Sequence, residues 1–461
     1  MDRALALALD LGSTRVKAGR LTAGGTLVPA GAAGAPHLTG QGTVREGDAA
    51  AYLEVAGAVL AQAVAADPGL PVGIACQRSS FVLWEAASGR PVTPLVSWQD
   101  RRADRWCAAH RAREAELTAR TGLPLSPHYA GPKLAVLLAA DPGLGEGLAT
   151  GRLRFGTLET YLLWHLSGAQ VHHTDLSMAA RTLMVDLGRR DWSDPLLATF
   201  GVPRAGLPAI GASAGLDLEM DGGTRVAATL ADQGAAALAA LGEAPGTALV
   251  NLGTGGFVLR RVAGPGHGPE GYLLGPLCRA AGGTAWAAEG TINGIGPLVA
   301  GLKGGPTSLA EDDPAPDAFC LPDAAGVGAP HWRAGLGPVF SPAAESLGPA
   351  GRRRAALEGI VFRVREIVDD LARDAPVTRL LVAGGLAAGP DTGHFLTAGL
   401  AACTGREVAR LEEPEATLLG AARLAAGVPQ AAPGARAVAA AGGYLGPKYA
   451  RWRAWLEGVL A

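Results

Sequence analysis

The stretch Leu9-Asp10-Leu11-Gly12-Ser13-Thr14 recurs in outline as Val250-Asn251-Leu252-Gly253-Thr254-Gly255, about 240 residues further on. Each copy ends an apolar run and precedes a second one, over 16–21 in the first case and 257–262 in the second. Apolar runs of that length flanking a Gly/Ser/Thr cluster read as two strands joined by a tight hairpin loop. Two such hairpins so far apart imply two domains of related topology, although chance likeness in a glycine-rich chain predicts the same six residues.

The 461 residues allow two or three domains. Gly 67 and Pro 32 together stay below the ~25–30% share that marks low-complexity chains. With 48% hydrophobic and 18% charged residues, the chain is expected to be globular. A formal charge of −2 gives no electrostatic footprint for nucleic acid or an anionic membrane. Lysine occurs only at Lys17, Lys133, Lys303 and Lys448, so the basic residues are nearly all arginine. Five scattered cysteines without a CxxC pair fit buried thiols in a reducing compartment. The apolar run before Asp10 is too brief for a signal sequence, and charge interrupts the other runs before the ~18 residues of a membrane span. The expectation is a cytoplasmic protein with no membrane or nucleic-acid partner.

Outward from the first hairpin, the pattern predicts a helix over 49–66 and strands over 72–76, 81–84 and 92–98, with Asp100 capping the helix that follows. A strand over 226–230 runs into a helix at 232–241. Further on come a loop-rich stretch over 304–341, a long helix over 350–373, a strand over 380–383 ending at Gly384-Gly385, and a linker over 432–443. A terminal helix over 444–460 carries Tyr449, Trp452 and Trp455 at near-helical spacing, as packing residues. Alternating strands and helices imply an α/β architecture.

Several motifs lead nowhere. No GxxxxGK[ST] occurs, and the GxGxxG at Gly266–Gly271 contains Pro269 and opens no helix, unlike a dinucleotide fingerprint. The GxSxG at Gly211–Gly215 does not run into a helix, as a nucleophile elbow should. What remains are the two hydroxyl-bearing glycine loops, suited to polyphosphate. Asp10, at a strand end beside its loop, either holds Mg²⁺ or bonds the turn. Asp232 either caps its helix or acts as a general base at a strand terminus. Gln77-Arg78, Trp98-Gln99-Asp100 and Tyr129 read as an aromatic wall with polar donors for a small polyhydroxy compound, or as ordinary core.

The residues carry a resemblance. Asp10-Leu11-Gly12-Ser13-Thr14, Gln77-Arg78, Trp98-Gln99-Asp100-Arg101-Arg102, Thr174-Asp175 to Ala180-Arg181-Thr182, Asp232-Gln233, Gly253-Thr254-Gly255-Gly256-Phe257, Glu289-Gly290, Gly328-Ala329-Pro330-His331-Trp332, Gly384-Gly385 and Leu419-Gly420-Ala421-Ala422 follow one another as in the FGGY carbohydrate kinases. Within that family the chain most resembles the glycerol kinases. The resemblance implies two actin-like (ribonuclease H-like) α/β ATPase domains with a nucleotide- and substrate-binding cleft between them, over 1–241 and 242–430, with 431–461 a linker and packed terminal helix. It implies ATP and Mg²⁺ as cofactors. Carried over by position, Asp10 would hold Mg²⁺, while Ser13, Thr14 and Lys17 face the phosphates. Gly253 and Thr254 would form the second phosphate loop, and Gly296, Gly384 and Gly385 the nucleoside side. Asp232 would be the catalytic base, with Arg78, Trp98, Tyr129, Gln233 and Phe257 around the substrate.

The sequence also departs from the pattern. Where glycerol kinases place Glu after the substrate arginine, Ser79 follows Arg78. Lys17 stands for an arginine, Ala300 for a glutamine, and the Asn and Gln usual after the paired glycines are missing, with Gly389-Pro390-Asp391 in their region. These changes bear on the acceptor and on adenine recognition. The expectation is an ATP-dependent kinase of a small polyol or sugar, glycerol first. A ketose or alditol kinase, such as one for xylulose, is the alternative within the family; a non-catalytic nucleotide- or sugar-binding sensor is the alternative outside it. A homodimer is left open.

Overall fold

The computed structural model describes all residues except 1, 243–244 and 306. The chain divides into two compact units. The first comprises Met1–Ala239, Leu274–Trp286 and Glu415–Gln430, and the second Ala240–Leu273, Ala287–Pro414 and Ala431–Ala461.

In the first unit, β1 (Ala4–Leu11), β2 (Arg15–Thr22), β3 (Leu27–Gly34), β4 (Val72–Cys76), β5 (Ala214–Glu219) and β6 (Arg225–Ala231) form a sheet ordered β5-β6-β4-β1-β2-β3. β1, β2 and β3 make an antiparallel meander, whereas β4 and β6 run parallel to β1. Covered on both faces, β4 is buried at all five residues, as a central parallel strand should be. The helix Ala49–Ala66, capped by Asp48 accepting from the Ala51 amide, turns Ala49, Tyr52, Ala56, Val59, Leu60 and Ala63 into the core. It has the length and hydropathy of a membrane span, but this packed stripe makes it a core helix. The helix Ala416–Ala426 lies so close to the sheet that a Cβ on Gly73 would sit 2.2 Å from the Ala421 carbonyl oxygen. A Cβ on Gly420 would sit 2.0 Å from that of Ala235. The Leu419-Gly420-Ala421-Ala422 run is thus a backbone-to-backbone contact, and it groups Glu415–Gln430 with the first unit despite its late place in the chain.

A second sheet, most of whose strands belong to the second unit, repeats the plan. β7 (Thr247–Leu252), β8 (Gly256–Val262), β9 (Leu273–Ala280), β10 (Gly283–Ile292), β11 (Arg379–Ala383), β12 (Glu407–Leu411) and β13 (Ala435–Ala437) are ordered β9-β10-β8-β7-β11-β12-β13. β7 pairs antiparallel with β8 and parallel with β11, and β11 parallel with β12, so β10-β8-β7-β11-β12 follows the order β3-β2-β1-β4-β6. The sequence echo is a true repeat of topology.

Some expectations fail locally. The strand expected over 92–98 shrinks to Leu95–Val96, because Pro91 and Pro94 supply no amide to a ladder. The linker over 432–443 contains β13, paired antiparallel with β12. Asp100 does not cap the next helix, whose N-cap is Ala103; its carboxylate turns inward instead.

The terminal helix Leu445–Leu460 buries Tyr449 and Trp452 against the second unit's core. It is pinned by Lys448, whose Nζ reaches Glu358 Oε2 at 2.7 Å, Asp313 Oδ1 at 3.1 Å and the Ala315 carbonyl at 2.8 Å. Removing one partner of so buried a pair costs about 3–5 kcal/mol. Lys448→Met is expected to lower the chemical-denaturation midpoint by that order, and Lys448→Met with Glu358→Leu to recover much of it. Equal midpoints for the single variant and the parent would refute the assignment.

Candidate active site

Strands β1, β4 and β6 are adjacent and parallel, so their carboxyl ends open on one edge of the sheet. Asp10 lies on β1, Arg78 follows β4, and Asp232 follows β6. Ligand sites of open α/β sheets lie at such edges. The structure gathers the three. Arg78 Nε is 4.0 Å from Asp232 Oδ1, and Arg78 Nη2 donates to Gln233 Oε1. The Gln233 amide donates to Asp232 Oδ1 at 2.7 Å. Burial lifts the Asp10 carboxyl to about 7; the negative field of Asp232 adds to this, and Lys17 opposes it.

Beside Asp10 the first loop runs from Gly12 to Thr14, between β1 and β2. A Cβ on Gly12 would lie 2.6 Å from the Arg15 carbonyl oxygen, so only glycine closes this turn. Ser13 is half-buried and Thr14 exposed. Lys17, opposite Asp10 in the β1/β2 register, donates to both carboxylate oxygens of Glu415 at 2.8 Å. The lysine expected to face phosphate is thereby engaged by a carboxylate.

A line of hydrogen bonds ties this loop to the aromatic wall. Tyr52 Oη donates to the Gly12 carbonyl at 2.8 Å, and Gln77 Nε2 to Tyr52 Oη at 3.4 Å. Ser80 Oγ donates to Gln77 Oε1 at 3.0 Å, and the Trp98 amide to Ser80 Oγ at 2.9 Å. The loop carrying Trp98 is fixed from below as well. Lys133 Nζ donates to the Ser97 carbonyl at 2.7 Å. Asp100, fully buried, accepts from the Arg45 amide at 2.7 Å and from Arg102. Burial pushes the Asp100 carboxyl upward, but the bonds from Arg102 and Arg45 outweigh it and hold it below the usual carboxylate range.

The ring beside Trp98 is that of His128, at 5.4 Å between centroids. Tyr129, the residue the sequence pointed to, is 5% exposed and stands edge-on to His128. Sequence reasoning missed His128, Tyr52, Ser80 and Glu415. The adjacency of His128 to Tyr129 was the one available signal. Ser79, where the family pattern has Glu, is buried with φ +65° and donates to the Arg181 carbonyl at 3.0 Å.

In the second unit, Gly253 and Thr254 form the β7/β8 loop, three residues long, with Leu252 opposite Gly256. The Gly296 amide donates to the Thr254 carbonyl at 3.0 Å, and a Cβ on Gly296 would meet the Gly253 carbonyl oxygen at 2.8 Å. Gly384, at φ +97°, packs on the end of β7, and Gly385 opens a short helix. Phe257 stands opposite Asn251 on β8. These residues pack together around the β7/β8 loop.

The N-terminal domain of the FGGY family of carbohydrate kinases matches residues 5–224, and its C-terminal domain residues 248–427. A glycerol kinase of Xanthobacter autotrophicus is 34% identical over 376 residues, covering 77% of this chain and 75% of its own. One of Thermus brockianus is 36% identical over 371 residues, covering 77% and 74%. The chain belongs to the FGGY family of carbohydrate kinases. It is a phosphotransferase with an alcohol group as acceptor. Among solved structures, a Plasmodium falciparum glycerol kinase with ADP superposes at a TM-score of 0.83 and 19% identity, covering 100% of this chain and 99% of its own. A xylulose kinase from Lactobacillus acidophilus superposes at 0.82 and 18%, covering 99% and 98%. Both share the two-domain FGGY fold.

Lys133 gives this kinase a pH signature. Burial pushes its amine down to about 7, with Asp100 opposing and Arg102 adding to the fall. The unfolded chain keeps the ordinary value near 10.5, so it binds the extra proton between those limits and stability drops as pH falls from about 10 to about 7. Lys133→Met lacks this penalty. Its denaturation midpoint relative to the parent is expected to be most favourable at pH 7 and to lose ground by pH 9.5; a pH-independent difference would contradict this.

Proposed function

We propose that this kinase uses ATP and Mg²⁺ to phosphorylate a hydroxyl of a small polyol, glycerol first, and works in the cytoplasm. The curated relatives, named glycerol kinases, support the acceptor, and the ADP of the Plasmodium structure supports the donor. Five buried cysteines that form no disulfide fit a reducing compartment. The observation that carries the chemistry is the meeting of Asp10, Arg78 and Asp232 at the carboxyl edge of three parallel strands.

In this reading Asp232 accepts the proton of the attacking hydroxyl. Arg78 and Gln233 orient that hydroxyl, and Trp98 with His128 and Tyr129 flanks the carbon chain. Within the first unit, Ser13, Thr14 and Lys17 are the phosphate residues; within the second, Gly253 and Thr254 form a phosphate loop, Gly296, Gly384 and Gly385 take the nucleoside, and Phe257 is a substrate residue. The first unit thus carries the acceptor site and the second the nucleotide. Phosphoryl transfer asks mainly for such positioning and charge stabilisation. The hard oxygen donor of Asp10, its carboxyl raised by burial and Asp232, suits a divalent cation, which is ordinarily held by one or two carboxylates plus phosphate. When bound, Mg²⁺ would neutralise charge on the phosphates.

Ser79 favours a second reading. Its hydroxyl is engaged by the Arg181 carbonyl, so this position offers no carboxylate to a glycerol hydroxyl, and a ketose or alditol becomes the acceptor.

ADP release with ATP and Mg²⁺ over glycerol, alditols and ketoses tests both. Substrate-dependent release, lost with EDTA and restored by Mg²⁺, is expected, with glycerol turned over fastest. Highest turnover of a larger polyol or ketose would select the second reading. Asp232→Asn is expected to lower kcat by about 10²–10⁴-fold. Unchanged kcat in that variant would remove Asp232 as the base, and silence of the parent across the panel would favour a sensor.

A further inference from the structure

The Gly211–Gly215 run is no nucleophile elbow, yet its serine is part of a built polar cluster in the first unit. Asp175 is fully buried and lies between two serines. Its Oδ2 accepts from Ser213 Oγ at 2.5 Å and from the Ser177 amide at 2.9 Å. Its Oδ1 accepts from Ser177 Oγ at 3.1 Å and from the Met178 amide at 3.0 Å. Burial lifts the Asp175 carboxyl to about 6, with bonds from Ser213, Ser177 and Met178 opposing; a backbone N–H donates to each of its oxygens, so it serves its neighbours as an acceptor.

That fixes the hydroxyl of Ser177. A serine has one proton to give, and Asp175 takes it, so a lone pair faces the other way. What it meets is the Ala231 amide, at 2.8 Å, on a side chain only 2% exposed. Ala231 is the last residue of β6 and the residue immediately before Asp232. Without the carboxylate, the hydroxyl could rotate its proton toward the amide and the contact would be lost.

We propose that Ser177, oriented by Asp175, is a positioning residue that holds the β6 terminus and thereby sets the place of the Asp232 carboxylate. The proposal rests on the reading of Asp232 as general base. Ser213 shares Asp175 but reaches β6 only through its backbone: its carbonyl accepts from the Thr229 amide at 2.8 Å, a bond that Ser213→Ala keeps, while its Oγ accepts from the Arg279 amide at 2.8 Å and does not touch Ala231. A misplacement of about 1 Å in a reacting group costs on the order of 10²-fold in rate, which sets the scale of the effect.

The experiment compares Ser177→Ala, Ser177→Thr and Ser213→Ala in the full chain, by ADP release with ATP and the acceptor of highest turnover in the glycerol, alditol and ketose panel. Ser177→Ala is expected to lower kcat about 10–100-fold with both KM values within about 3-fold of the parent, on the positioning scale above. Ser177→Thr keeps the hydroxyl and is expected to retain kcat within about 3-fold. Ser213→Ala is expected to lower the unfolding midpoint while kcat stays within about 3-fold. Parental kcat in Ser177→Ala, or a kcat loss in Ser213→Ala equal to that of Ser177→Ala, overturns the proposal. Should the alanine variant not fold, Ser177→Cys, a weaker hydrogen-bonding group, is read in its place: an intermediate kcat supports the proposal and a parental one overturns it. Asp232→Asn separates the two readings. An active Asp232→Asn removes the base, whereas an inactive one beside a fully active Ser177→Ala removes the positioning alone.

Discussion

The parallel register of β1, β4 and β6 is the constraint on which the rest of the first unit depends. Leu9 pairs with Ile74, and Ile74 with Thr229, so the three strands end level with one another. Asp10, Arg78 and Asp232 come together because those strand ends do. The helix Ala416–Ala426 lies at backbone contact with this sheet at Gly73 and with the helix Asp232–Leu241 at Gly420. A methyl group at Gly73 would push the helix off the sheet, and one at Gly420 would push it off Ala235 in the helix that Asp232 opens, displacing Glu415, the partner of Lys17.

The second unit shows what duplication keeps and what it discards. Its strands repeat the order of the first, and its hairpin loop lies between the corresponding strands. The chemistry differs at the matching positions. Asp10 faces Lys17 across the first hairpin, whereas Asn251 faces Phe257 across the second. A carboxylate and an ammonium give the first hairpin groups for charge. The second keeps an uncharged amide side chain and a loop whose Thr254 carbonyl accepts from the Gly296 amide. Two copies of one topology thus differ in whether the hairpin carries charge.

Most of this was legible in the chain. The hairpins, the helix Ala49–Ala66 and the strand ends at Asp10, Arg78 and Asp232 follow from apolar periodicity and turn residues, which are local signals. Legibility fails where a role depends on what a distant segment brings. Asp100 looks like a helix cap because its neighbours are helical, but Arg45, 55 residues earlier, supplies the amide it accepts from. Tyr52 sits on the buried stripe of a core helix, and only the fold shows its hydroxyl on the Gly12 carbonyl. The place of Glu415 is invisible in sequence, since it meets Lys17 from 398 residues away.

The lysines draw the same lesson from composition. In a chain whose basic residues are nearly all arginine, Lys133 and Lys448 sit where a compact ammonium fits and a planar fork does not, whereas Lys17 meets a carboxylate that a fork would also match. Lys448 aims at three acceptors from three segments, Lys133 at one carbonyl in a space closed to solvent, and Lys17 at the two oxygens of one carboxylate. An arginine presents its donors in a fixed plane and is effectively always charged. It could not converge on the acceptors of Lys448, and at Lys133 it would hold a full charge where burial favours the neutral amine. Only Lys303 is exposed. Of the two lysines whose geometry excludes arginine, Lys133 lies beneath the loop that carries Trp98, and Lys448 pins the terminal helix.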